Sequence, residues 1–264
     1  MFSKVNEGRV IGLVSGKGGV GKTSVCVNLG IALSRLGNEV TLIDTDLSAS
    51  NLGVYMGRYD HPVKIHEVLS GEAAFQEAMF RHPTGVNALV ASTEVSDTDP
   101  NTSEIGSIFD KAAKTSDYVL VDCAPGLTET VMDVMRGCAE VMVITSPTHT
   151  SGTNAAQAVQ KAQQMRKPVL GTVVNKVEDN PEMELVDREI EMMTESHILS
   201  KIPYDRKMKE SLFHKKPLVT YDELSRASVE IRKLAAEMDG KAFEQPKFLK
   251  AKRKLRSIKN TLRG

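Results

Sequence analysis

The chain has 264 residues, 41% of them hydrophobic and 26% charged, which provides for a sizeable core and excludes wholesale disorder. No run approaches the roughly 18 consecutive apolar residues of a membrane span, and the start, MFSKVNEGR, lacks the apolar core of a secretion signal. Three cysteines (Cys26, Cys123, Cys138) form no CxxC pair and are odd in number, so a soluble protein of a reducing cytosol is expected.

Arg9 to Ser15 is a short apolar, β-branched run, the pattern of a strand buried on both faces. From Thr23 to Leu36 apolar residues recur near helical spacing until Gly37 stops the helix. Val40 to Ile43 is a second buried strand, ending in Asp44-Thr45-Asp46. Further strands are predicted at Val86 to Ala91, Tyr118 to Val121, Val141 to Thr145, Val169 to Val174 and Ile198 to Ile202. Helices are predicted at Ile65 to Phe80, Ser103 to Lys114, Thr128 to Met135, Thr153 to Met165, Glu182 to Glu195 and Glu223 to Met238. Strands alternating with helices give the fold class α/β, with a mostly parallel central sheet of about seven to eight strands between two helical layers. Gly240 and Pro246 then punctuate the chain, so a body over residues 1–240 and a tail over 241–264 are expected.

Between the first strand and the first helix lies Gly16-Lys17-Gly18-Gly19-Val20-Gly21-Lys22-Thr23, which satisfies G-x-x-x-x-G-K-[ST] in the strand-to-helix context that motif requires. Glycines let backbone N–H groups converge on phosphate oxygens, and the helix N-terminus adds a favourable field. Gly16 to Ser24 is therefore the expected nucleotide-binding stretch. Within it, Lys22 would reach the β- and γ-phosphates and the Thr23 hydroxyl would join a Mg²⁺ shell.

The second lysine, Lys17, gives the loop a KGGVGKT form that resembles the deviant Walker A box of the ParA/MinD superfamily of dimeric ATPases, closest to its MinD-like members. The resemblance runs from about Val10 to about Met238. It implies ATP and Mg²⁺ as cofactors, and Lys17 reaching across a nucleotide-sandwich homodimer to phosphates held by the partner subunit. Asp44-Thr45-Asp46 resembles switch I, which implies that Asp46 places the attacking water and touches the metal shell. Tyr118 to Asp122 resembles a Walker B strand, with Asp122 on the metal. Cys123-Ala124-Pro125-Gly126 resembles switch II, which implies a Gly126 N–H available to the γ-phosphate, with Ala124 where the family usually has proline. Asn175 and the Pro203-Tyr204-Asp205 loop resemble the adenine-contacting segments. Asn175-Lys176-Val177-Glu178 narrowly misses the guanine-reading N-K-x-D pattern, and the surrounding resemblance favours ATP. The cysteines and the six histidines lack ligand spacing, so buried small hydrophobes are expected at Cys26, Cys123 and Cys138 in place of a metal cluster.

The formal net charge of zero conceals an asymmetry, because residues 247–264 hold eight basic side chains and no acid while the preceding 246 carry −8. On a helix, Phe248, Ala251, Leu255, Ile258 and Leu262 would form one apolar stripe among the cations. Phe248, Leu249, Leu255, Ile258 and Leu262 are thus the candidate membrane-binding residues, on an anionic surface at the inner face of the cell membrane. Eight cations also suit phosphate backbones. Three functions follow: a membrane-recruited MinD-like positioning ATPase released by hydrolysis, a ParA-like ATPase on nucleic acid, and a slow ATPase gating a protein partner. An activating protein partner is implied by the resemblance.

Overall fold

The computed structural model describes residues 8–47, 50–58, 60–92, 102, 104–180 and 182–245. Nineteen elements follow one another: β1 (Arg9–Val14), α1 (Lys22–Arg35), β2 (Val40–Thr45), α2 (Leu52–Met56), α3 (Ile65–Leu69), α4 (Phe75–Ala78), β3 (Phe80–Arg81), β4 (Asn87–Leu89), α5 (Ile105–Ala113) and β5 (Tyr118–Cys123), then α6 (Glu129–Gly137), β6 (Glu140–Thr145), α7 (His149–Gln164), β7 (Val169–Val177), α8 (Asp187–Thr194), β8 (Ile198–Pro203), α9 (Arg206–Phe213), α10 (Leu218–Tyr221) and α11 (Arg226–Met238). The strands form one eight-stranded sheet in the order β3-β4-β2-β5-β1-β6-β7-β8. Every neighbouring pair is parallel except β3 with β4. The expected α/β architecture is the one observed.

Burial explains why the central strands read as unbroken apolar runs. Along β1, Ile11 and Leu13 enter a core shared with α1 and α11. Their neighbours Val10 and Val14 enter a second core, on the other side, shared with α5, α6 and α7. A strand with helices over both faces has no solvent side on which to place a polar residue. Cys26, Cys123 and Cys138 are free and buried, as expected of small hydrophobes.

The sequence-predicted helix from Ile65 to Phe80 is broken into α3, α4 and the edge strand β3. Glu67 and Glu77 cause the break: each carboxylate accepts from a backbone N–H three residues earlier, on Lys64 and Ala74, and so starts its own helix. The sequence-predicted helix from Glu182 starts only at Asp187, because Glu184 turns back to accept from the N–H groups of Glu178 and Asn180. Among the described residues no helix is long and apolar enough to cross a membrane. The candidate membrane-binding residues Phe248, Leu249, Leu255, Ile258 and Leu262 lie outside the described residues.

Candidate functional site

The carboxyl ends of parallel strands in an open sheet point into a common crevice where neighbouring crossovers leave in opposite directions. Here β1 lies between β5 and β6, and the chain leaves it by the glycine-rich loop into α1. Gly19 and Gly21 have φ of 79° and 93°, the left-handed region that side chains disfavour. A Cβ on Gly19 would meet nothing, whereas one on Gly21 would lie 2.3 Å from the Asn175 amide nitrogen. No acidic residue occupies the first turn of α1, so its free N–H groups face the loop without a competing anion.

Lys17 and Lys22 have opposite environments. Lys17 is exposed at the mouth of the crevice, whereas Lys22 is 7% exposed and its Nζ lies 2.8 Å from Oδ1 of Asp122. Burial disfavours the Lys22 ammonium, but the charge and hydrogen bond of Asp122, with smaller help from Cys123 and Asp44, hold its pKa above the ordinary lysine value. Asp122 and Asp44 are register partners on β5 and β2. Asp44 is fully buried; burial first, and then the charge of Asp122, raise its pKa to about 7.

Asp44 accepts from the Ser50 hydroxyl at 2.7 Å, the Leu52 N–H at 3.2 Å and the Asp46 N–H at 3.0 Å. It therefore fixes the turn that carries Asp46 into the crevice, which makes it a positioning residue for its neighbour. Asp46 and Thr23 line the crevice, and Asp122 stands behind Lys22.

The crevice is a cavity of about 390 Å³ lined by the glycine-rich loop, Asp46, Asn175 and the segment after β8. Asn175, Pro203, Tyr204 and Asp205 are among its lining residues. Asn175 also braces the loop, donating to the Val20 carbonyl at 2.8 Å, and Asp205 caps α9 through the Lys207 N–H at 2.9 Å.

Two expected contacts are placed differently. The Gly126 N–H donates to the Ser15 carbonyl at 3.0 Å, so it reaches a phosphate only by exchanging that bond. Gly16 does not line the cavity; a Cβ there would lie 2.3 Å from the Asn154 carbonyl oxygen, so its smallness serves the approach of α7. The sequence reading missed the wall formed by Met208, Lys209 and Leu212 of α9. It also missed Lys176, whose Nζ reaches the Gly19 carbonyl at 2.5 Å and whose φ of 64° is unusual for a lysine. The basic residue next to Asn175 was the only available sign.

The CobQ/CobB/MinD/ParA nucleotide binding domain matches residues 11–218. The chain belongs to this family. Among relatives of the MinD/ParA chain, an uncharacterized ATP-binding protein of Methanocaldococcus jannaschii is 30% identical over 232 residues, 88% of each chain. The cell division ATPase MinD of Pyrococcus furiosus superposes with a TM-score of 0.83 at 29% identity, covering 88% of this chain and 99% of that one. The septum site-determining protein MinD of Pyrococcus horikoshii, solved in complex with Mg-ADP, gives 0.82 at 27% identity, covering 88% and 96%. Residues 11–218 span β1 to the start of α10, so the matched region contains every element that lines the crevice except the first residues of α11.

Proposed function

We propose that this chain is a MinD-like ATPase, hydrolysing ATP to ADP and phosphate as part of a spatial positioning system in the cytoplasm and on the inner face of the cell membrane. The body over 1–240 would be the ATPase and the basic appendix over 241–264 its membrane anchor. The observation that carries this reading is the division of labour between two lysines of one loop, Lys22 buried on Asp122 and Lys17 exposed at the mouth. A lysine that serves its own protomer's phosphates belongs inside. One that serves a partner protomer across a sandwich belongs outside.

The residues present fit Mg-ATP. The two positive-φ glycines and the unopposed N-terminus of α1 form an anion cradle beside a cavity of about 390 Å³. When bound, Mg-ATP supplies the phosphoryl group to be transferred and a divalent charge on its oxygens. Gly18 to Ser24 would donate to phosphate oxygens, and Lys22, exchanging its bond to Asp122, would neutralise their charge. Thr23, Asp46 and Asp122 are the residues that would hold the metal, directly or through water. Asp46, held by Asp44, orients the attacking water, and Lys17 of one protomer stabilises charge on the phosphates of the other. Asn175, Tyr204 and the Pro203–Asp205 turn hold the adenine end. ATP closes the homodimer, hydrolysis opens it, and slow turnover rises when a protein partner engages the dimer.

A dimer carries two basic appendices, so its membrane residence exceeds that of a monomer by far more than twofold. Nucleic acid is the competing target of the same eight cations. The deciding experiment is sedimentation of Asp46→Ala protein with vesicles of anionic lipid, in ATP and in ADP, with and without the residues after Gln245. Pelleting that needs both ATP and the appendix is expected. Absence of pelleting in every condition, with retention on duplex DNA at low salt, would overturn membrane binding in favour of nucleic acid.

A further inference from the structure

β8 is an edge strand, paired with β7 on one side only. Edge strands of folded proteins are normally covered, shortened or charged, because their free N–H and C=O groups recruit other chains. Along β8 run two hollows. The first, of about 180 Å³, is lined by Asp179, Lys201, Arg226, Glu230 and Gln245. The second, of about 380 Å³, lies between α8 and α11, shares Lys201 and Glu230 with the first, and adds Asp187, Glu191, Lys233 and Glu237 over a half-buried floor of Ile198 and Leu199. A continuous path therefore leads from Gln245, the last described residue, along the open strand edge to α8.

Five acids (Asp179, Asp187, Glu191, Glu230, Glu237) and three bases (Lys201, Arg226, Lys233) line the two hollows, and the segment beside them is more acidic still. Residues 178–195 hold eight acids against one base, Arg188, a formal −7 within a body whose total is −8. All of these acids but Glu184 are exposed. Lys201 pairs with Asp187 at 2.8 Å and Lys233 with Glu237 at 3.9 Å, but surface pairs of this kind are worth only about 0–1 kcal/mol and exchange freely. Beside the acids stand Met183 and Met192, 78% and 69% exposed, and Val186 at 49%. Methionine adapts its shape to irregular apolar partners. An acidic surface carrying exposed methionines matches a basic segment carrying Phe, Leu and Ile.

We propose that the edge groove between α8 and α11 is the docking site of this chain's own residues 246–264. Eight cations and five large apolar side chains (Phe248, Leu249, Leu255, Ile258, Leu262) leave the body at the head of the groove. Nineteen residues span about 28 Å even at helical rise, more than twice the length of the eight-residue α8. Because the segment is tethered, its local concentration is in the millimolar range, so contacts too weak to hold a free peptide suffice. Docking occupies the same cations and apolar groups that a lipid surface would bind. The acidic face therefore competes with the membrane and sets a threshold for recruitment, and in this the inference rests on the membrane reading. The docking itself stands apart from that reading.

The test is zero-length carbodiimide cross-linking of the full chain at low and at about 0.5 M salt, with monomeric product mapped by mass spectrometry. The expected result is intrachain linkage of Lys250, Lys252, Lys254 or Lys259 to the groove acids Asp187, Glu191, Glu230 or Glu237, lost in high salt and weakened in the double variant Asp187→Asn/Glu191→Gln. Links spread over exposed acids of the whole body, or confined to interchain products, would overturn the docking. A second measurement separates the two readings. The double variant should bind anionic vesicles severalfold more tightly than the parent at equal nucleotide; equal or weaker binding would overturn the competition. If vesicles bind neither protein, the membrane reading fails while the cross-links still decide the docking.

Discussion

The crevice at the ends of β1, β2 and β5 and the open edge of β8 both concentrate charge, and they do so in opposite ways. In the crevice Asp44, Asp122 and Lys22 are 0%, 1% and 7% exposed and are locked to one another or to backbone N–H groups. Along the edge, the acids of α8 are exposed: Asp187 pairs with Lys201, and Glu189 and Glu191 each accept one backbone N–H at the surface. Buried charge is costly unless each group keeps its partner, so it fixes geometry and is indifferent to salt. Exposed charge fixes little and is screened over about 8 Å at physiological ionic strength, which suits an adjustable contact.

The strongest way to break this contrast is Lys22→Ala. It should lower nucleotide affinity by about 100-fold, the value of a lost charge-assisted contact of about 3 kcal/mol. It should also lower the urea midpoint, because Asp122 and Asp44 are left buried without their cation. Titration calorimetry and a denaturation curve read the two effects, and retained ATP affinity would remove the loop from its assigned role. Lys17→Ala tests the other lysine. Its side chain is exposed, so stability and monomer nucleotide affinity should hold while dimer-dependent turnover falls by about 100-fold or more. A normal turnover rate at saturating protein concentration would mean that Lys17 serves no partner subunit.

His82 extends the contrast to the other edge of the sheet, with the smallest effect. It is 8% exposed in the turn between β3 and β4, with Nε2 3.0 Å from the Met56 carbonyl and Nδ1 2.6 Å from the Thr84 hydroxyl. Burial, aided by the charge of Arg58 and opposed by the Met56 carbonyl, holds its pKa below the usual 6.5. On acidification the unfolded chain takes up the proton first. The neutral imidazole therefore contributes stability that is present above pH 6.5 and lost as the pH falls below it. His82→Gln should reduce the loss between pH 7.5 and 5.5 by under about 1 kcal/mol. An unchanged pH profile of the urea midpoint would show that His82 plays no part in it.

Much of the molecule is legible in one dimension because its determinants are local. The seven longer strands are apolar runs between turn residues, and the loop from Gly16 to Thr23 carries its own conformational signature. Asp44 and Asp122 are register partners near the ends of β2 and β5, and Asp46, just past β2, is singled out by its resemblance to switch I. The two-residue strand β3 was missed because antiparallel pairing with β4 needs no pattern of its own. The helix expected at Ile65 to Phe80 was misread because apolar spacing cannot reveal that Glu67 and Glu77 would each open a separate helix.

The sequence by itself determined the three-layer sheet and the phosphate loop, since periodicity, glycine and chain order act over a few residues at a time. Tertiary structure alone decided that Gly16 makes room for α7, that Lys176 braces Gly19, and that the Gly126 N–H is held by Ser15. It alone decided that Lys22 is buried while Lys17 stands outside, and that Gln245 meets the acidic edge of β8. Each of these pairs residues from distant parts of the chain, and no local preference encodes a contact whose two halves are brought together only when the sheet closes over its cores.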